Sequence, residues 1–117
     1  MSGNNTGTKD ARTIIVELPE YPVLIGENIK VRINGIQVPS LKGKCKKESK
    51  LAVRAKNFTE KNLKKSTLID LLNMKRGIYF LIIADVQIDE EDFATKLIDK
   101  GYAVKTSRKK KAHNWCK

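Results

Sequence analysis

The sequence predicts a small, mainly β domain with helices, built as a five-stranded barrel. Three observations point there. Short β-branched runs recur along the chain, bounded by Pro and Gly. An apolar period of helical length occurs twice, once between strands and once near the end. The chain has 117 residues, 40% apolar and 32% charged, which suits one domain around one small core.

The elements follow in order. Residues 1–9, MSGNNTGTK, offer little to bury and predict a flexible lead. TIIVEL (13–18) is a β-branched strand stopped by Pro19. Pro19 and Pro22 enclose a turn, Val23 to Ile25 starts a second strand, and Gly26-Glu27-Asn28 turns tightly. IKVRI (29–33) alternates apolar and cationic residues, the pattern of a half-buried strand, and Pro39 stops its pairing. Over 47–65 the period lengthens: Leu51, Ala52, Ala55, Phe58 and Leu63 share a helical face. TLIDLL (67–72) and IYFLIIADV (78–86) are further strands, the second apolar on both faces and therefore central. Asp89 caps a last helix over 89–100, with Glu90, Glu91 and Asp92 in its positive first turn. Phe93, Leu97 and Ile98 face the core, Gly101 ends the helix, and Tyr102 to Val104 is extended. Strand, strand, strand, helix, strand, strand, helix is the OB-fold arrangement. The domain spans 10–104, and 105–117 is a basic tail.

Charge narrows the partners. The chain carries a net +11, of which 42–65 holds +8 and 105–117 holds +6, leaving −3 elsewhere. So concentrated a charge suits a polyanion, nucleic acid above all. The candidate contacts are Arg32, Lys42, Lys44, Lys46, Lys47, Lys109, Lys110 and Lys111. Aromatic residues are only 6%, and most fit core patterns, so a stacking platform for single strands is not evident. No apolar run is long enough for a transmembrane helix, so no membrane insertion is expected, and the polar opening shows no signal peptide.

One histidine, His113, nearly excludes a His-based triad. His113, Cys45 and Cys116 supply three soft ligands, one short of a structural zinc site. The cysteines are 71 positions apart. They are either free thiols in a reducing compartment or a bridge contributing about 4 kcal/mol in the loop-entropy model. No cofactor is expected.

The ordered motifs resemble the staphylococcal nuclease (thermonuclease) family. VRINGIQVPSLKGKC (31–45) is similar to that family's VRVNGIDTPEIRGKC, and YFLIIADVQID (79–89) to its YFRLLADVYVD. LAVRAKNFTEKNL (51–63), LIDKGYAV (97–104), the opening DART (10–13) and the ending HNWC (113–116) fit as well. The resemblance covers residues 10–116 and implies an OB-fold barrel with three helices, the third near the C-terminus. It also implies a Cys45–Cys116 bridge, and with it an exported or periplasmic setting.

The resemblance further implies a calcium-dependent phosphodiesterase, whose chemistry needs two metal-holding carboxylates, a glutamate base and two arginines. Carried over residue by residue, the first metal aspartate is Arg12 here and the second is Gln37. The residue that lends its backbone to the metal is Val38, the base is Ser40, and the second arginine is Leu81. Arg32 alone is retained. Arg12 puts a cation where the metal belongs, Gln37 offers a neutral oxygen, and Ser40 has no histidine nearby to activate it. Asp10 and Asp85 match acidic family positions, and the Arg12 guanidinium is expected to pair with one of them.

The expectation is therefore a monomeric nuclease scaffold, with no catalytic set and no metal, that binds nucleic acid or another polyanion. The alternatives are a protein-interaction component reusing the barrel, and a still-active nuclease with an altered site.

Overall fold

A computed structural model describes residues 4–17, 29–77, 81–106 and 113–116. Its strands are β1 (Asn4–Asp10), β2 (Thr13–Glu17), β3 (Ile29–Ile33), β4 (Ile36–Gln37), β5 (Ile69–Arg76), β6 (Ile82–Ile88), β7 (Glu91–Asp92) and β8 (Val104–Lys105). Its helices are α1 (Lys46–Lys65) and α2 (Phe93–Asp99). The third helix that the resemblance implied is not among the described residues. Nor are residues 18–28, on which the Val23–Ile25 strand and the Gly26 turn fall, or residues 78–80, where the later strand was expected to begin.

The main sheet runs β1-β2-β3-β6-β5, with β7 added beside β6. The β3–β6 pair is parallel, with Val31, Arg32 and Ile33 opposite Ile82, Ile83 and Ala84. The other pairs are antiparallel. A parallel pair needs a long crossover, and here β4, α1 and β5 supply it. This is a mainly β, mixed five-stranded sheet with two helices, of the OB-like class. Among the described residues the ladder is an open path rather than a closed ring.

Alternation builds the core. Ile14, Val16, Val31, Ile33, Leu71, Ala84 and Val86 point inward and are essentially buried, joined by Leu63, Phe93 and Leu97 from the helices. Phe58 on α1 stacks on Phe93 at 5.9 Å and meets Tyr102 at 5.3 Å, tying the helices together.

Two expectations need correcting. Residues 4–9, part of the flexible lead expected over 1–9, form β1 together with Asp10. Backbone pairing with β2 asks little of side chains, and two bulges absorb the irregular register. Asp89 does not cap α2. It sits at φ +50 and accepts the N–H groups of Thr67 and Leu68, both at 2.8 Å. Asp92 is the cap, taking the Thr95 N–H at 3.1 Å. The helix thus begins at Phe93, and two of the acids form β7. Gly101 does end the helix: at φ +79 it donates to Ile98, and Tyr102 donates to Leu97, a Schellman closure.

Candidate functional site

The β1–β2 turn places Arg12 at the sheet edge, and four contacts hold the turn there. Asp10 Oδ1 accepts the N–H groups of Arg12 and Thr13, both at 2.9 Å. The Arg12 carbonyl accepts Ile33 N–H at 2.8 Å. Thr59, buried in the middle of α1, donates its hydroxyl to the Ala11 carbonyl at 2.9 Å. The helix thus clamps the turn from one side and β3 from the other.

Arg32 stands opposite Thr13 in the β2–β3 register. Val31 and Ile33 fill the core, so Arg32 falls on the other face of the strand. Burial holds the Arg12 guanidinium below its usual range, the charge on Arg32 pushes the same way, and Asp10 pulls weakly back. The pairing expected between Arg12 and Asp10 or Asp85 is not formed. The Asp10 carboxylate is occupied by backbone N–H groups, and Asp85 accepts from Asn73 Nδ2 at 2.8 Å. Arg12 Nη1 instead donates to the Ile36 carbonyl at 3.4 Å. The Nε atoms of both arginines are enclosed without a hydrogen-bond acceptor.

Gln37, one residue beyond Ile36, accepts His113 N–H on its Oε1 at 3.0 Å. This brings residues 113–116 over the end of β4. Cys116 is bridged to Cys45, with their Cα atoms 6.1 Å apart. His113 meets Trp115 edge-on at 4.5 Å. A cavity of about 320 Å³ lies beneath, lined by Gln37, Val38, Lys44, Glu48, His113, Asn114 and Trp115.

Ser40 is exposed, and its hydroxyl accepts Lys42 N–H at 3.2 Å. Its own N–H goes to Glu48 Oε2 at 2.9 Å, and Lys44 N–H goes to Glu48 Oε1 at 3.1 Å. Glu48 therefore organises the whole 40–44 loop. Those bonds, Ser40 first, hold its carboxyl below the usual carboxylate range against the opposing loss of hydration. The loop passes so tightly that a Cβ on Gly43 would lie 2.8 Å from that of Glu48. Glu48 went unnoticed in the sequence. Its signal was an acid three residues after the cap of α1, in a segment otherwise dominated by Lys. Leu81 lies apart, half-buried, its carbonyl taking Gly77 N–H at 2.7 Å.

The outer face of α1 is a second feature. Lys46, Lys47, Lys50, Arg54, Lys61, Lys64 and Lys65 are all exposed. At 3.6 residues per turn they fall within an arc of roughly 100°. Ala52, Ala55, Thr59 and Leu63 are buried on the opposite side. Lys42 and Lys44 are exposed on the preceding loop. Lys109, Lys110 and Lys111 lie outside the described residues. Sequence reading assigned the charge of 42–65 to a polyanion but named contacts only at its start, leaving the rest of the stripe unnamed. Its i, i+3 and i+4 spacing was the available signal.

A small mixed sheet with one parallel pair, a crossover helix and a loop organised at the mouth of the sheet defines a nuclease-like scaffold of the OB class. The family model for staphylococcal nuclease homologues matches residues 30–115, and the chain belongs to that family. No curated protein matches it. The match takes in Arg32, Gln37, Ser40 and Leu81. Arg12 precedes it, and only the fold brings that residue beside Arg32 and β4.

The family's calcium does not fit these residues. Ca²⁺ takes six to eight oxygens, carboxylates foremost. Here one candidate position is a guanidinium, the Gln37 oxygen already accepts from the tail, and Asp10 is committed to its own turn. Among the described residues no three His, Cys, Asp or Glu side chains gather as a metal set.

Proposed function

We propose that the chain is a nuclease-like domain that binds nucleic acid without cleaving it, acting as a monomer. The carrying observation is the outer face of α1. A stripe about 28 Å long, at 1.5 Å rise per residue, presents seven cations and no acid. Neutralising phosphates there releases counterions and gives affinity without reading bases. Lys109, Lys110 and Lys111 join the proposal on charge alone. The loss of cleavage is supported by residue chemistry. Arg12, Gln37, Ser40 and Leu81 supply no carboxylate for a metal, none for a base and no second phosphate-binding arginine. The Cys45–Cys116 bridge fits folding in an oxidising, exported setting.

The test pairs two measurements. Labelled duplex DNA of unrelated sequences is titrated at several salt concentrations. If four to six side chains touch phosphates, log affinity falls against log salt with a slope of about −3.5 to −5.5, alike for every sequence. The same DNA is then incubated with calcium and run on a gel, and it should stay intact. Calcium-dependent cutting that co-purifies with the protein overturns the loss of cleavage. Absence of binding at low salt favours a protein partner instead. For that reading the specific observation is the exposed pair Leu72 and Met74 on β5, the last strand of the sheet path.

A further inference from the structure

We infer that the Cys45–Cys116 bridge is a thiol-exchange site, and that its opening by a low-molecular-weight thiol unfastens residues 113–116, a strap over the cavity at the end of β4. This goes beyond the nucleic-acid reading and does not depend on it.

Residues 113–116 border a void rather than the core. His113, Asn114 and Trp115 line the cavity of about 320 Å³, and Gln37, Val38 and Lys44 line it from the body. Among the described residues, none of 113–116 belongs to the hydrophobic core or to the partly buried apolar side chains packed on it. The segment is braced internally. Cys116 N–H donates to Asn114 Oδ1 at 3.0 Å, and the His113 ring meets Trp115 edge-on. Two links fasten it to the body, the bridge and the His113 N–H bond to Gln37. That hydrogen bond is exposed, so water competes for it and the bridge is the lasting link.

The bridge is placed to exchange. Both cysteines are half-buried, so neither is sealed in the core. Their sulfurs are also unequal. Cys45 Sγ caps the twenty-residue α1, accepting the Glu48 N–H at 3.4 Å, and Lys44, Lys46 and Lys47 adjoin it in the chain. The Glu48 carboxylate opposes those cations, with its oxygens committed to the Ser40 and Lys44 N–H groups. A sulfur at a helix N-terminus among cations is the better leaving thiolate. The incoming thiolate therefore attacks Cys116 Sγ and forms a mixed disulfide there. The Sγ–Sγ bond breaks, and its electron pair leaves on Cys45 Sγ. A second thiol then displaces Cys116. In sum, two external thiols are oxidised to one disulfide, and their protons pass to the two cysteine thiols.

Trp115 is the sole tryptophan of the chain, so its fluorescence follows the strap. The full chain is treated with glutathione near neutral pH, below the Tm of its reduced form, and free thiols are trapped by alkylation. As the thiols appear, Trp115 emission should shift to the red and acrylamide should quench it more strongly. The far-ultraviolet circular dichroism should persist, because the core does not include the strap. A brief exposure with iodoacetamide present should leave glutathione on Cys116 and the alkyl group on Cys45, read by peptide mass spectrometry. Lys44→Gln combined with Lys46→Gln should slow exchange several-fold. Lys61→Gln, at the far end of α1, should leave the rate unchanged. Cys116→Ser should show the open emission with no thiol added. Should that variant unfold, reduction of the parent still decides. Trp115 emission that stays put once both thiols are free overturns the strap. Glutathione found on Cys45 overturns the leaving-group assignment and with it the exchange site. Reduction no faster than global unfolding, measured by hydrogen exchange on the oxidised chain, overturns exchange from the folded state.

Discussion

The chain spends positive charge in two ways. On the outer face of α1, seven cations are exposed and spaced along the helix. At the β1–β2 turn and on β3, Arg12 and Arg32 are half-buried, and their enclosed Nε–H groups find no acceptor among the described residues. Solvated charge costs the fold little, is screened by salt, and draws any polyanion. Desolvated charge costs stability and repays it only to a partner of the right shape. Under the proposed function the stripe suits affinity for a polyanion, whereas the enclosed arginines cost the fold stability.

The largest expected effect tests whether the two regions are mechanically separate. Replacing Cys45 and Cys116 by Ser should destabilise the fold by about 4 kcal/mol in the loop-entropy model. That corresponds to a fall in Tm of roughly 12–20 °C for a domain of this size. Calorimetry checks it. Below the new Tm the salt slope of DNA binding should be little changed, because the bridge anchors residues 113–116 and Ser at position 45 can still cap α1, where the Cys45 sulfur accepts the Glu48 N–H.

Slightly smaller is the effect of discharging the stripe. Lys50, Arg54 and Lys61 changed together to Gln should flatten the salt slope by about 2.7 and weaken duplex binding roughly 10²–10³-fold at about 0.1 M salt. Stability should barely move, since all three side chains are exposed. If affinity survives, the comparison fails and the cleft or tail carries binding.

Thr59→Val probes the link between the regions. It removes the buried hydroxyl that donates to Ala11 and leaves that carbonyl unpaired, at a cost of about 1–3 kcal/mol. Denaturant unfolding reads the loss.

Glu48→Gln is the smallest, about 1–2 kcal/mol, because the amide keeps one acceptor for two backbone donors. It has a pH signature. The carboxyl lies lower in the folded state than in the unfolded one, so its stabilisation is full above the unfolded value, roughly 4.3. It fades as pH falls through the folded value. The difference in stability between parent and variant should therefore be constant near neutrality and close in acid. A gap that widens in acid would assign Glu48 a different role.

Much of the fold was legible before any coordinates. The alternation in IKVRI, the apolar run ending in ADV and the apolar face of 47–65 each satisfy one periodicity, and β3, β6 and α1 follow them. Gly101 was legible because a left-handed residue after a helix has few other solutions. Asp89 misled because the acidic run holds two eligible caps, Asp89 and Asp92. The choice of Asp92 depends on Asp89 being drawn away to Thr67 and Leu68, 21 and 22 residues distant in sequence. β1 was invisible because its pairing uses backbone groups that every residue carries.

By itself the sequence determined the family, the mixed β and α content and where the charge lies along the chain. These rest on residue identity and on short periodicities, which act over a few neighbours. Only the tertiary structure decided that Arg12 donates to the Ile36 carbonyl while Asp10 turns to the backbone. It alone also decided that His113 takes the Gln37 oxygen and that Glu48 holds the 40–44 loop. A polar group has several partners within reach of its own segment. Which one it takes is settled when distant segments are packed together and each buried donor must find an acceptor.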